Sequence, residues 1–182
     1  MKSFPKPWVF VLTGVLFNIS SAVITHYFVG LNNERINELD RFISARQVLI
    51  DSLWQSKIEV ERKKEFFALY LVNRPIQDSL DIKQLDQYYQ DYLLETVQTY
   101  DLNDYKTRVI TEESNNLELL LALSRAAQLS IIESINHTYF EKLDLEENKM
   151  PIEQGNVRLF SIAIFLQVTG LILILARDFK KN

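Results

Sequence analysis

The chain has 182 residues, 47% of them hydrophobic, with 20 Lys and Arg against 24 Asp and Glu. It has no cysteine, which excludes a disulfide framework, a thiol nucleophile and Cys-ligated zinc or iron–sulfur sites. Four glycines and two histidines leave little material for a phosphate-binding loop or a His-rich metal site, so no cofactor is expected.

Residues 1–7 form a short tail carrying Lys2 and Lys6, and no Asp, Glu, Lys or Arg occurs from Pro7 to Asn33. Crossing about 30 Å of hydrocarbon takes roughly 20 apolar residues in a helix. Residues 8–30 meet that length and are read as a first transmembrane helix. The alternative is a cleaved signal peptide, with residues 8–17 as its apolar region and Ser20-Ser21-Ala22 as its cleavage site. Against cleavage, the apolar run continues through Val23, Ile24, Tyr27, Phe28 and Val29. Gly14, Asn18, Ser21 and Thr25 recur at helical spacing and define one seam of this helix.

Residues 31–156 are expected to form an extracytoplasmic antiparallel bundle of about four helices, in an all-α protein. No glycine lies between Gly30 and Gly155, and the only prolines there are Pro75 and Pro151. The first helix, able to continue straight from the apolar segment, carries Ile36, Leu39, Ile43, Ile50, Leu53, Val60, Phe67 and Leu71 at intervals of three and four. Pro75 should end it, because the residue before a proline is biased away from helix. A second helix, from Ser79 or Asp81 to Tyr100, places Ile82, Leu85, Tyr89, Leu93 and Val97 on one face. A short third covers about 104–113. Asn115, with Glu118 three residues on, reads as the cap of a fourth over about 116–147. Leu120, Ser124, Ile131 and Ile135 belong to its inward stripe. Residues 148–156, with Pro151 and Gly155, are expected to hinge back to the membrane. Lengths of about 43, 21, 10 and 32 residues, alternating outward and inward, cancel and return the chain to the bilayer.

Residues 157–176 are read as a second transmembrane helix, and 177–182 as a second basic tail. Ala163, Gln167 and Gly170 form its seam. Counted from the charged ends, Gly14 matches Gly170 in depth, Asn18 matches Gln167 and Ser21 matches Ala163. The two helices are therefore expected to pack along these seams with the two amides facing each other, since small residues allow close approach. Neither amide ionises, so no proton or ion pathway is expected. Lys2, Lys6, Arg177, Lys180 and Lys181 favour both termini in the cytoplasm, as in a bacterial inner-membrane protein with a periplasmic domain. Residues 31–158, with 15 basic and 23 acidic side chains, would then lie outside.

Three constellations in the middle segment bear on chemistry. Glu133, His137 and Glu141 share a helix face and make a weak candidate for metal or pH sensing, against a solvated polar face as the plainer account. The acidic stretch 78–104 lacks the spacing and glycine of a calcium loop, and its charge argues against nucleic acid. Tyr88, Tyr92, Tyr100 and Tyr105 are candidates for a partner or ligand surface, with core packing as the alternative. No catalytic triad, carboxylate pair or phosphate loop is found, so the chain is not expected to be an enzyme.

The layout of short tail, span, helical outer domain and second span resembles, in topology, the four-helix-bundle sensor region of bacterial chemoreceptors and histidine kinases. It departs from them after the second span, where six residues follow in place of signalling helices. A signal is thus expected to leave through a partner. The expected function is an accessory or scaffold subunit of a membrane complex, bound to another membrane protein or a second copy through its outer bundle. The alternative is a ligand-sensing bundle that signals through a membrane partner.

Overall fold

The structure, a computed structural model, describes residues 6–73, 79–111 and 116–179. Among these the regular elements are all helices, with no strand. α1 covers Pro7–Val23, a π-helical segment covers Ile24–Val29 and α2 covers Gly30–Asn73. These three join without a break, so one helix runs over Trp8–Asn73. α3 covers Ser79–Thr99, α4 Asn103–Thr111 and α5 Leu117–Phe179. The described chain is therefore four continuous helices, two of them long and apolar enough in part to cross a membrane.

Local chemistry explains most of the boundaries. Pro7 occupies the start of α1, where its missing N–H removes no helical hydrogen bond. Gly30 does not interrupt the first helix, since no glycine takes a positive φ. The π segment inserts one extra residue through wider i→i+5 bonding. Its effect shows in burial: the half-buried face runs through Phe17, Asn18, Ser21 and Ile24, then resumes five residues later at Val29. Thr25, on the expected seam, is left exposed by this change of register.

α3 ends without a glycine. Asp101 takes φ 52°, in the left-handed region that Asp tolerates better than most residues. The Leu102 N–H then donates to the Val97 carbonyl at 2.9 Å, the six-to-one bond that closes a Schellman motif. Asn103 Nδ2 donates to Asp101 Oδ1 at 2.5 Å and α4 begins at once. The start of α5 is capped by Asn116, whose Oδ1 accepts from the Leu119 N–H at 3.1 Å. The expected cap, Asn115, lies outside the described residues, as do Pro75 and residues 112–113 of the expected third helix.

The expected hinge over 148–156 is not there. α5 continues through Pro151 and Gly155 to Phe179. An interior proline removes one backbone hydrogen bond and crowds the carbonyl four residues earlier, which bends a helix without obliging it to stop. Side chains brace this stretch. Lys149 Nζ bridges Asp40 at 2.7 Å and Glu153 at 2.9 Å, and Asn156 Nδ2 donates to Asn33 Oδ1 at 2.8 Å.

Two compact units emerge: residues 45–141, and residues 1–44 together with 142–182. The first is built on Phe67, which is fully buried. Its ring stacks on Tyr92 with centroids 5.0 Å apart and lies 5.1 Å from Tyr89. Tyr70, Leu93, Val97, Val109, Leu119, Leu120 and Leu123 complete that cluster. A second cluster joins Ile50, Val60, Ala127, Ile131 and Ile135. The other unit is organised by the contact between α1 and the last part of α5.

Candidate functional site

Within the unit formed by 1–44 and 142–182, α1 and α5 touch backbone to backbone. A Cβ added at Gly14 would lie 2.5 Å from the Gly170 carbonyl oxygen, and one at Gly170 would lie 2.7 Å from that of Gly14. Only hydrogen fits at either position. Seven residues after Gly14 and seven before Gly170, Ser21 Oγ donates to the Ala163 carbonyl at 2.7 Å, with Ser21 and Ala163 both buried. A hydroxyl bonded across a helix pair in an apolar setting contributes about 0.6–2 kcal/mol.

The amides behave differently from expectation. Gln167 is exposed, and no hydrogen bond joins it to Asn18 among the described residues. Asn18 instead fills the space left by the missing side chain of Gly170, with Nδ2 3.1 Å from where a Cβ would stand. The inward stripe of α5 runs Leu159, Ala163, Leu166, Gly170 and Ile174, and Gln167 lies beside it. Thr25 Oγ1 donates to the Ser21 carbonyl of its own helix at 3.0 Å and does not reach across.

The tyrosines of the 45–141 unit divide by burial. Tyr88 is 53% exposed, Tyr100 and Tyr105 are half-buried, and Tyr92 is only 4% exposed. Packing therefore accounts for Tyr92 and Tyr105, the latter lying against the Phe67 cluster. Burial, and then the neighbouring Tyr92, push the Tyr89 phenol up to about 12. Its hydroxyl donates to the Asn116 carbonyl at 3.4 Å. Tyr70 Oη donates to Asp86 Oδ1 at 2.7 Å, which engages one carboxylate of the acidic stretch.

Glu133, His137 and Glu141 do not converge on a site. His137 Nδ1 lies 3.6 Å from Glu141 Oε1, while Glu141 Oε2 is held by Arg46 Nε at 3.0 Å. Glu133 is exposed. Among the described residues no group of three ligating side chains is placed to hold a metal ion.

A cleft that spacing did not single out opens between α2 and α3, with a volume of about 180 Å³. α2 supplies Ser56, Glu59 and Lys63, and α3 supplies Tyr92, Glu95 and Thr99, with Tyr100 just past its end. Lys63 Nζ lies 3.7 Å from Glu95 Oε2 and 5.5 Å from the centre of the Tyr92 ring. Burial first, then Tyr92, Glu59 and Glu95, push the Tyr100 phenol up. Arg62-Lys63-Lys64 reads in the sequence as a solvated basic run, yet Lys63 and Lys64 are both half-buried and paired with carboxylates. The signal lay in their position between Val60 and Phe67, on the flank of the core stripe. Glu61, bonded first by Lys64 and then by Gln128, has its carboxyl held below the usual range.

Comparison with protein-family models, curated proteins and solved structures finds no match to this chain.

Proposed function

We propose that the chain is a non-catalytic membrane protein that spans the bilayer twice and serves as an accessory or scaffold subunit of a membrane complex. The observation that carries this reading is uncovered apolar surface. Only 11% of each apolar window is buried within the chain, which leaves Leu12, Leu16, Ile19, Phe165, Ile172 and Leu175 bare. The core helix of a soluble protein would bury such a stretch, and lipid covers it in a spanning helix. The basic tails support placing both termini in the cytoplasm. The docking part of the reading is supported by α2, where Phe66, Leu69 and Val72 stand on one face, 50%, 65% and 65% exposed.

The chain should stay in the membrane pellet after alkaline carbonate extraction. A photo-crosslinking residue at position 69 should then give one discrete adduct, to another membrane protein or to a second copy. Val72→Glu in the same protein should abolish that adduct. Release into the carbonate supernatant would overturn the membrane reading. A lone, uncrosslinked monomer in mild detergent would overturn the docking reading.

A further inference from the structure

The apolar stretch 159–176 of α5 contains three polar side chains, Ser161, Gln167 and Thr169. A hydroxyl in such a helix can be spent on its own backbone, as Ser161 Oγ is on the Val157 carbonyl at 2.8 Å. A carboxamide has two donors and an acceptor to place. Gln167 is exposed and makes no hydrogen bond among the described residues. It lies ten residues before Arg177, about 15 Å into the hydrocarbon of a spanning helix, too deep for its short side chain to reach either surface. Lipid tails offer an amide nothing, and leaving it unpaired there is expensive. The second observation is spacing. Phe160, Ile164, Gln167 and Leu171 recur at intervals of four, three and four, and all are exposed. That is the period of a seam along which one helix wraps another, with a single polar position among apolar ones. The seam runs beside the Ala163 and Gly170 stripe that meets α1, so it is free within the chain. Phe165, Val168 and Ile172, further round α5, are apolar throughout and need only lipid.

We propose that Gln167 is the centre of a symmetric contact between two copies of this chain in the membrane, α5 against α5. The inference rests on the spanning reading above and names the partner which that reading leaves open. A carboxamide is self-complementary. Its Oε1 accepts from the partner's Nε2–H while its own Nε2–H donates to the partner's oxygen, so one twofold axis satisfies both copies. Copies inserted in the same orientation also hold Gln167 at the same depth, which brings the two amides together without any further adjustment. An unrelated helix would need a donor and an acceptor of its own at that depth. Phe160, Ile164 and Leu171 likewise meet their counterparts and supply the packing, which in lipid must come from van der Waals contact. A lone polar residue in an otherwise apolar seam fixes the register and the number of helices, since any slip leaves the amides apart.

The absence of native cysteine makes the contact directly testable in the full chain. Two differently tagged copies are expressed together, each with the same single cysteine, and their membranes are oxidised. Ile164→Cys and Leu171→Cys should give disulfide-linked dimers carrying both tags, and Phe165→Cys and Ile172→Cys should not. The strength of the contact is read by energy transfer between two labelled populations of the chain as lipid is added to dilute them. Gln167→Leu should raise the apparent dissociation constant by about 3- to 30-fold for each hydrogen bond lost. Gln167→Asn keeps the amide and should lose less. Equal disulfide yields at 164 and 165, or an unchanged dissociation constant in Gln167→Leu, would overturn the proposal. Carbonate extraction of the same membranes separates it from the reading it rests on. A chain that stays in the pellet yet forms no disulfide at 164 or 171 overturns the second copy alone, whereas a chain released into the supernatant overturns the spanning reading with it.

Discussion

Gly14 and Gly170 show how much one missing methyl group decides. Each glycine lies where a Cβ would stand 2.5–2.7 Å from a backbone oxygen of the other helix, and backbone cannot move aside as a flexible side chain can. Gly14→Ala should therefore force the pair apart and cost about 1–3 kcal/mol, as overpacking does. Unfolding in mixed detergent micelles would measure it, and a neutral Gly14→Ala would mean the helices do not pack this closely. Glu61 gives a prediction of another kind. Bonds from Lys64 and then Gln128 hold its carboxyl below its ordinary value of 4.5. The folded state therefore binds that proton more weakly than the unfolded state. Its contribution is present above the ordinary value and is lost as pH falls through the lowered one. Glu61→Gln should flatten the acid limb of stability in that window by lowering the neutral plateau, by a small amount because the group is partly exposed, and leave the acid end unchanged. An unchanged acid limb in a pH series would rule this out.

At the scale of elements, the ends and the interruptions tell different stories. The turn after α3 is closed by Asp101 at φ 52° and the bond from Leu102 to Val97. A β-branched residue suits that backbone region poorly, so Asp101→Val should cost about 1–2 kcal/mol. Asp101→Gly should be tolerated; both are read by chemical denaturation. Asn116→Ala removes the cap on the Leu119 N–H and should cost about 0.5–2 kcal/mol. Pro151 is the opposite case, an interior residue that weakens its helix. Pro151→Ala should slow amide exchange across 147–155, by restoring a donor and relieving the clash, in a helix where proline costs about 3 kcal/mol. Faster exchange there would mean that proline stabilises this stretch. The helical runs themselves were legible in the sequence. The apolar spacing along α2 and α3 marked Val60, Phe67, Tyr89, Leu93 and Val97 as core, and all five are buried. The later breakers were read too literally: Pro151 and Gly155 are punctuation only when nothing holds the chain on either side. Here Lys149, Asp40 and Glu153 hold it.

At the scale of the whole molecule, the two compact units should respond separately to damage. Phe67 is fully buried and touches three tyrosine rings, so Phe67→Ala should cost about 3–5 kcal/mol. That is a large share of the 5–15 kcal/mol that holds a typical domain. Residues 45–141 should lose their cooperative transition, while a cysteine pair introduced at positions 21 and 163 still oxidises, since the chain has no native cysteine to compete. Loss of that crosslink would show that the units fold as one. The sequence by itself determined that this chain is helical, that two stretches are long and apolar enough to cross a membrane, and that no cysteine is available for a disulfide or a thiolate site. Those are properties of composition and period, which are local along the chain. Tertiary structure alone decided that Asn18 lies against Gly170 and not Gln167, that Tyr92 is core while Tyr88 is surface, and that Glu59, Lys63, Glu95 and Tyr100 share a cleft. Each of these depends on the rotation of one helix against another, and a shift of one residue turns a helix by about 100°. The spacing within a helix fixes which residues share its face. Only the packed partner fixes what that face meets.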